Sequence, residues 1–192
     1  MLEGEKNLIK AAKAGNSSSF GTLYDHYITQ IYRFIYLKTS SREEAEDLTH
    51  EVFLSAWRSM PGYKHKGFPF SSWLYQIARN KVIDHFRTKK TAMPIDEIVQ
   101  SELDIPALIN TEGDLDLALD LEKIKYAMQF LTEEHQNIII MRFVEDMTPK
   151  EIAEILGKSE GSVRLAQHRA IHKLKSILQK NQSQKNEEGN LV

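Results

Sequence analysis

The residues with the clearest chemical character lie near the C-terminus, in the segment TPKEIAEILGKSEGSVRLAQHRAIHKLKSIL at 148–178. Six Lys or Arg residues and one acid fall between residues 158 and 180, so the local field is positive. Guanidinium and imidazole groups donate hydrogen bonds to base edges and to phosphates. The segment therefore indicates nucleic-acid binding, and the alternative is an ordinary helix pair with a solvated basic face. On the helix predicted over 160–178, the outward side holds Gly161, Arg164, Leu165, His168, Arg169 and His172.

The elements that position these residues match a helix-turn-helix. Thr148 and Glu151 have the spacing of a capping box, and Gly157 ends the helix that they begin. Ser159 then caps the second helix. In a helix-turn-helix the N-terminal part of the second helix enters the major groove, so the outward side described above faces DNA. The inward side is expected to hold Val163, Gln167, Ala170, Leu174 and Ile177.

Other kinds of chemistry find little support. His168 and His172 stand one helical turn apart, but no Glu or Cys at a supporting spacing completes a metal site. We therefore predict no metal and no cofactor. The chain has no cysteine, no glycine-rich phosphate loop and no HExxH motif, so we expect neither enzymatic activity nor a small-molecule substrate.

The composition limits where the chain works and how it meets nucleic acid. The formal net charge is −2, so any attraction to DNA must come from a local basic surface rather than from the whole chain. No apolar run approaches the length of a membrane span, and the first residues lack the apolar core of a signal peptide. We expect a cytoplasmic protein that is not embedded in a membrane.

A second segment, 61–90, mixes aromatic and basic residues. Aromatic side chains can stack on unpaired bases while basic side chains follow the phosphates. Some of the aromatic residues must belong to the core, with Trp73 a good candidate. The segment predicts a surface for single-stranded DNA beside a unit for duplex DNA, which suggests a function where DNA opens. The residues concerned are Tyr63, Phe68, Phe70, Trp73 and Tyr75 with Lys64, Lys66, Arg79, Lys81, Arg87, Lys89 and Lys90.

The helix predicted over 41–59 has two apolar sides. Ser40 and Glu43 have capping-box spacing at its start. One side should face the core, and the opposite side combines acids with large apolar residues. Either the helix is buried on both sides, or the second side docks on another protein. The core side holds Ala45, Leu48, Val52 and Ala56, and the opposite side holds Glu46, Asp47, His50, Phe53, Leu54 and Trp57.

The whole chain reads as an all-α protein with two small helical domains. Helices are predicted over 5–14, 19–38, 41–59 and 71–88, with Ser71 or Ser72 opening the last of these. From residue 92 to residue 120 there are eight acids and no Lys or Arg, which is typical of a linker. The predicted boundaries are a first domain over 1–90, an acidic flexible linker over 91–114, a helix-turn-helix domain over 115–178, and a disordered tail over 179–192.

Three segments together resemble the extracytoplasmic-function (ECF) group of bacterial sigma factors. They are AEDLTHEVFLSAW at 45–57, FSSWLYQIARNKVIDHFR at 70–87 and MTPKEIAEILGKSEGSVRLAQHRAIHKLK at 147–175. The resemblance covers nearly the whole chain, with the segments in the expected order. It implies a sigma factor of the sigma-70 family that directs core RNA polymerase to promoters and is regulated by an anti-sigma factor. A helix-turn-helix regulator that binds an operator without joining polymerase is the alternative.

The resemblance also implies roles for individual residues. Asp47, His50, Glu51 and Phe53 match positions that dock on core polymerase, within the side that also carries Glu46, Leu54 and Trp57. The 61–70 loop, with Tyr63, Lys64, Lys66, Phe68 and Phe70, matches the loop that captures a flipped minus-ten base, and Asn80, Asp84 and Arg87 follow beside Arg79. Arg142, Lys150, Ser159, Glu160, Ser162, Arg164, Leu165 and His168 match positions near the duplex minus-thirty-five element, and Arg169 lies on the same side.

The chain departs from the family pattern in two places. Housekeeping sigma factors carry a tryptophan pair that helps to melt the promoter, and the matching positions here hold Gln76 and Ile77. The resemblance to the ECF group therefore implies stricter promoter choice. The run RLAQHRA at 164–170 replaces a more basic run, so Leu165 and Gln167 leave the minus-thirty-five sequence open.

Overall fold

The computed structural model describes residues 2–65, 67–92 and 127–188. Lys66 and residues 93–126, which include most of the predicted acidic linker at 91–114, lie outside these residues. Throughout the described residues the regular structure is helical, with no strand, so the predicted all-α class is confirmed. The helices are α1 Glu5–Lys13, α2 Ser17–Thr39, α3 Arg42–Ser59, α4 Phe70–Ala92, α5 Glu133–Ile139, α6 Pro149–Leu156 and α7 Glu160–Glu188.

The helices fall into two units, one built from α1 to α4 and the other from α5 to α7. This agrees with the predicted layout of two small helical domains, while the predicted boundaries stay a prediction. None of the helices in the described ranges is both long enough and apolar enough to cross a bilayer.

Short-range capping explains where the first unit's helices begin and end. The Asn16 side chain accepts a hydrogen bond from the Ser19 backbone N–H at 2.8 Å and starts α2. At the next junction Ser40 adopts a left-handed conformation, φ 57°, and closes α2. Ser41 then accepts a hydrogen bond from the Glu44 N–H at 3.3 Å, so it caps α3. The predicted Ser40–Glu43 box was therefore wrong by one residue, because Ser40 is needed for the turn.

The core of the first unit lies where α2, α3 and α4 meet. An aromatic cluster joins the start of α4 to α2: the Tyr63 ring centroid lies 5.4 Å from Phe70 and 4.8 Å from Trp73, and Phe70 lies 5.7 Å from Tyr27. The Tyr27 hydroxyl donates a hydrogen bond of 2.5 Å to the Glu5 carboxylate, which ties α1 to α2. Other buried apolar residues are Leu23, Ile31, Phe34, Ile35, Val52, Ala56, Leu74, Tyr75, Ala78 and Val82.

The second unit follows its predicted helix signals closely. Thr132 accepts a hydrogen bond from the His135 N–H and begins α5, which continues as one π-helical turn over Ile140–Val144. The Thr148–Glu151 capping box begins α6 and Gly157, with φ 64°, ends it, as predicted.

The last helix extends further than the sequence led us to expect. We predicted an end near residue 178 and a disordered tail, but α7 runs to Glu188. The segment from 162 to 188 contains neither glycine nor proline, so no residue interrupts the backbone hydrogen bonds before Gly189. The predicted helix end near residue 178 is therefore about ten residues too early, while the predicted disordered tail at 179–192 stays a prediction.

Candidate functional site

The N-terminal half of α7 presents an exposed polar surface. Ser159 accepts a hydrogen bond from the Ser162 N–H at 3.2 Å, which fixes the first turn of the helix. Glu160 and Arg164 form an ion pair across one turn, with the Arg164 guanidinium 2.6 Å from a Glu160 oxygen and both side chains largely exposed. Surface pairs of this kind contribute about 0–1 kcal/mol, so Arg164 can exchange Glu160 for another anionic partner at little cost.

The outward side of α7 is formed as the sequence predicts. Leu165 is 51% exposed, and His168 and Arg169 are exposed one turn later. The His168 and His172 ring centroids are 4.5 Å apart. Across the described ranges, no three His, Cys, Asp or Glu residues are grouped so that they could hold a metal ion. Val163 and Ala170 are buried as expected, and Ala166, which the sequence reading left out, is buried between them.

Two residues expected near the minus-thirty-five element lie outside α7. Arg142 is half-buried, and its guanidinium donates to the Met147 carbonyl at 3.2 Å and lies 3.3 Å from Asp146. Arg142 therefore stabilises the turn that leads into α6. Lys150 is exposed in the first turn of α6. Arg142 is thus held by its own turn, whereas Lys150 is accessible to a phosphate.

The exposed side of α3 carries acids around one apolar side chain. Asp47, His50, Glu51 and Leu54 follow helical spacing and are exposed, with Leu54 49% exposed. Glu46 is exposed as well and pairs with an arginine one turn earlier in the chain. A large apolar residue with an acidic surround is typical of a protein-binding surface.

Phe53 and Trp57 do not belong to this exposed side. Phe53 is 3% exposed, and its ring centroid lies 4.7 Å from Tyr24 of α2. Trp57 is half-buried, with its ring centroid 5.0 Å from Phe20. The predicted docking role of Phe53 is therefore corrected to a core role, because α2 covers it. The sequence left open whether the second side of α3 is buried or exposed for docking. The structure shows a division: Phe53 is buried, whereas Leu54 is exposed to solvent.

Ion pairs join α3 to α4 next to this surface. Lys81 lies 2.8 Å from Glu51, and Lys89 lies 2.7 Å from Glu44. The His85 imidazole is 3.2 Å from the same Glu44 carboxylate. These contacts link the two helices at their surface, where each pair contributes about 0–1 kcal/mol.

The predicted single-strand surface divides into core and accessible parts. Tyr63 is 6% exposed and Phe70 is 2% exposed, because they pack in the aromatic cluster, so neither can stack on a base. Lys64 is exposed and Phe68 half-buried, while Lys66 lies outside the described residues. This corrects the prediction for Tyr63 and Phe70, whose large rings suit a core and a base platform equally well.

The α4 side of this surface is accessible. Asn80, Asp84 and Arg87 recur at helical spacing and are exposed. The Arg87 guanidinium lies 3.0 Å from Asp84. Arg79 is half-buried. The three exposed side chains supply hydrogen-bond donors and acceptors of the kind that recognise base edges.

The first unit also contains one cavity lined by basic residues that was not expected from the sequence. This cavity, which we call the α1 groove, has a volume of about 450 Å³. It is lined by Lys6, Lys10, Lys13, Tyr63 and His65, together with two apolar residues of the α1 region. The lysines recur at i, i+4 and i+7, which is a signal that the sequence contained. Only the fold brings His65 to them.

Comparisons with known proteins identify the family. The sigma-70 region 2 model matches residues 23–91, and the sigma-70 region 4 model matches residues 127–176. The ECF RNA polymerase sigma factor SigW of Bacillus subtilis (strain 168) is 31% identical over 180 residues, covering 90% of this chain and 96% of SigW. The chain belongs to the ECF sigma factors of the sigma-70 family.

Other ECF sigma factors are similar over most of the chain. BldN of Streptomyces coelicolor (strain ATCC BAA-471 / A3(2) / M145) is 34% identical over 173 residues, which cover 89% of this chain. The match spans 64% of the length of BldN. The solved structure of CnrH in complex with the cytosolic domain of CnrY has a TM-score of 0.71 at 20% identity, covering 92% of this chain and 98% of that chain. This last likeness concerns the fold alone.

Proposed function

We propose that this ECF sigma factor directs core RNA polymerase to specific promoters through three surfaces of its two helical units. The exposed side of α3, at Asp47, His50, Glu51 and Leu54, binds core polymerase. The N-terminal half of α7 reads the duplex minus-thirty-five element. The segment 61–87 holds unpaired bases of the minus-ten element.

The observation that carries this proposal is the exposed surface at the start of α7. Its hydrogen-bonding side chains project from a helix that follows a tight turn at Gly157, while Val163, Ala166 and Ala170 anchor the opposite side. That geometry lets the helix end enter a major groove without exposing the core. The exposed residues that we assign to the minus-thirty-five surface are Ser159, Glu160, Ser162, Arg164, Leu165, His168 and Arg169 with Lys150.

We assign the capture of minus-ten bases to the exposed residues of the 61–87 segment. Extruding a base from a duplex costs a few kcal/mol, which hydrogen bonds and stacking in a pocket can offset. Lys64, Asn80, Asp84 and Arg87 are exposed and provide such hydrogen bonds, and Phe68 of the same segment is half-buried. We assign Tyr63 and Phe70 to supporting this surface from beneath rather than to contacting DNA.

This division explains how a chain of net charge −2 works on DNA. The two DNA surfaces are small, and in the proposal core polymerase supplies the remaining grip and synthesises the RNA. The chain itself carries out no chemistry and acts in the cytoplasm with the polymerase. We assign polymerase and minus-ten binding to residues 1–90 and minus-thirty-five binding to residues 115–178, with 91–114 as the linker.

We also propose control by an anti-sigma protein. The solved relatives include the sigma factor RpoE in complex with the anti-sigma factor NepR from Bartonella quintana, at 22% identity and a TM-score of 0.69, covering 83% of this chain and 96% of that chain. That complex supports the idea that a chain of this fold can be held by an inhibitor. Binding of an inhibitor over the exposed side of α3 would block polymerase docking.

Transcription in vitro tests the main proposal. The full chain is added to core polymerase on a promoter library, and the RNA products are sequenced. We expect RNA from a limited set of promoters that share minus-ten and minus-thirty-five sequences. No added RNA synthesis over core polymerase alone would overturn the proposal, and dimers on palindromic DNA without polymerase would instead support the operator-binding alternative.

A single substitution tests base reading by α7. Arg164→Ala should weaken holoenzyme binding by about 1–3 kcal/mol on the preferred minus-thirty-five sequence and less on altered sequences. Lys173→Ala is the matched control, because Lys173 is exposed on the same helix but further from its N-terminus. Equal loss on every sequence would assign Arg164 to a phosphate and remove its base-reading role.

A further inference from the structure

Leu165 is an exposed apolar residue on a surface that is otherwise polar. It is 51% exposed, and among the α7 side chains that the structure describes, at 160–179, it is the large apolar one that reaches solvent. The other exposed residues in the first half of the helix are glycine or carry hydrogen-bonding groups. Single exposed leucines are common on protein surfaces, but this one lies where the proposed function places the edges of base pairs. Whatever Leu165 meets there has to suit an apolar group.

The path of α7 keeps Leu165 uncovered. Side chains of an α-helix lean toward its N-terminus, so Leu165 leans over the positions three and four residues earlier. Those positions hold Ser162 and Gly161, which are small, and the space above Gly161 is open. The core contacts of α7 come from Val163 and Ala166 on its other side, so Leu165 stays outside the core.

The polar residues near Leu165 have partners of their own on α7. Arg164 reaches back one turn, where its Nε and Nη2 both donate to the same Glu160 oxygen, at 3.1 and 2.6 Å. The His168 ring lies with its centroid 4.5 Å from that of His172, one turn further along the helix. These pairings draw the polar side chains along the helix and leave Leu165 accessible.

The edges of base pairs in the major groove are polar, with one exception. Guanine, cytosine and adenine present hydrogen-bond donors and acceptors there, whereas thymine presents its C5 methyl group beside an acceptor. Leucine forms no side-chain hydrogen bond, so packing it on a polar edge would remove water without replacing the lost bonds. Packing it on a methyl group removes the apolar surface of both partners from water. The chemistry of Leu165 therefore matches thymine best.

We propose that Leu165 is a specificity-determining residue that packs on the C5 methyl group of a thymine in the minus-thirty-five element. The inference rests on the proposed function, in which the N-terminal half of α7 enters the major groove at that element. It concerns the run RLAQHRA at 164–170, in which this chain departs from the family pattern. The thymine is therefore a feature of the promoters of this chain and is not expected for the whole family.

The test uses the full chain with core polymerase and its preferred minus-thirty-five element, selected from a library of duplexes. Each thymine of that element, on either strand, is replaced in turn by deoxyuridine, which removes the methyl group and keeps the hydrogen-bonding groups. Fluorescence anisotropy gives the Kd of the holoenzyme for each duplex, with the parent chain and with Leu165→Ala, Leu165→Met and Lys173→Ala. Methionine keeps an apolar side chain of similar volume, and Lys173 is exposed on the same helix but further from its N-terminus.

One thymine should respond, and its response should depend on residue 165. Removing its methyl group should raise the Kd of the parent about 4-fold, because burying one methyl-sized apolar group changes an affinity by about this factor. With Leu165→Ala the same replacement should leave the Kd unchanged, because the shorter side chain no longer reaches the methyl group. Leu165→Met and Lys173→Ala should keep the parental ratio. The ratio compares two DNA molecules on one protein, so altered folding alone does not produce this pattern.

Two results would overturn the inference. If no thymine of the preferred element responds to deoxyuridine, Leu165 meets no methyl group. If a thymine responds equally with the parent and with Leu165→Ala, another side chain reads it. A failure of the proposed function also removes the inference but is recognised separately, because the parent holoenzyme would then select no minus-thirty-five sequence from the library.

Discussion

The adjacent residues Phe53 and Leu54 allow a direct test of which side of α3 binds core polymerase. Phe53 is 3% exposed and packs on Tyr24, whereas Leu54 is 49% exposed. Substituting each with alanine separates stability from polymerase binding. The comparison is informative because both changes fall on the same helix within one residue of each other.

The structure sets the size of each effect. Phe53→Ala removes a buried ring and leaves a cavity, so it should cost about 3–5 kcal/mol of unfolding free energy. In a domain of about 60–100 residues that corresponds to a fall in Tm of at least about 12 °C. Leu54 has about half of its surface left to bury on docking. Because full burial of a leucine is worth about 1.5–3 kcal/mol, Leu54→Ala should weaken polymerase binding by about 0.7–1.5 kcal/mol, or about 3- to 13-fold.

Two measurements separate the outcomes. Thermal unfolding followed by circular dichroism gives Tm, and anisotropy with labelled protein gives the Kd for core polymerase without DNA. Leu165→Ala is the matched control, since Leu165 is 51% exposed but lies on the proposed DNA surface of the other unit. It should leave polymerase binding unchanged in this assay.

Either of two results would contradict these roles of Phe53 and Leu54. If Leu54→Ala binds core polymerase as tightly as the parent does, the exposed side of α3 is not the docking surface. If Phe53→Ala keeps the parental Tm and loses polymerase binding, then Phe53 is a contact residue and its burial against Tyr24 is incorrect.

Three further predictions concern stability. Ser40→Gly should stabilise the first unit by about 0.5–1 kcal/mol in urea unfolding, because glycine relieves the left-handed conformation at φ 57°; a loss of stability would contradict this. Thr148→Ala should cost about 1 kcal/mol by removing the capping box, and Thr148→Ser, which keeps the hydroxyl, should cost much less. Burial first, and then the hydrogen bond to Glu5, raises the pKa of Tyr27 above its usual value. Its contribution is therefore complete below about pH 10 and falls as the pH rises further, so Tm should drop more steeply in alkali for the parent than for Tyr27→Phe.

The helix boundaries show how far local signals carry. The Thr148–Glu151 box and Gly157 were both identified from the sequence, and each acts on backbone groups within three or four residues. The wrong assignment of the α3 cap to Ser40 also results from a local signal. Two serines in succession offer equivalent caps, and only the path of the chain between α2 and α3 assigns one to the turn and the other to the cap.

The aromatic residues show that local sequence signals do not predict whether a large side chain is buried or exposed. Phe53, Tyr63 and Phe70 were all expected at binding surfaces, and all three are buried. A large ring beside acids or lysines has the same sequence pattern whether it faces a partner or the core. The partner ring that decides the matter, Tyr24 for Phe53 and Tyr27 for Phe70, lies on another helix far away in the chain.

The sequence by itself determined the helical class, the helix-turn-helix and the family resemblance, since periodicity, capping and motif order are all local or linear properties. Tertiary structure decided which candidate residues remain accessible. In the folded protein Leu54 and the start of α7 are exposed, and Tyr63 is buried. His65 lies beside the lysines of α1, although it is distant from them in the sequence. Burial depends on what packs against a residue, and those contacts join positions whose separation along the chain carries no periodic signal.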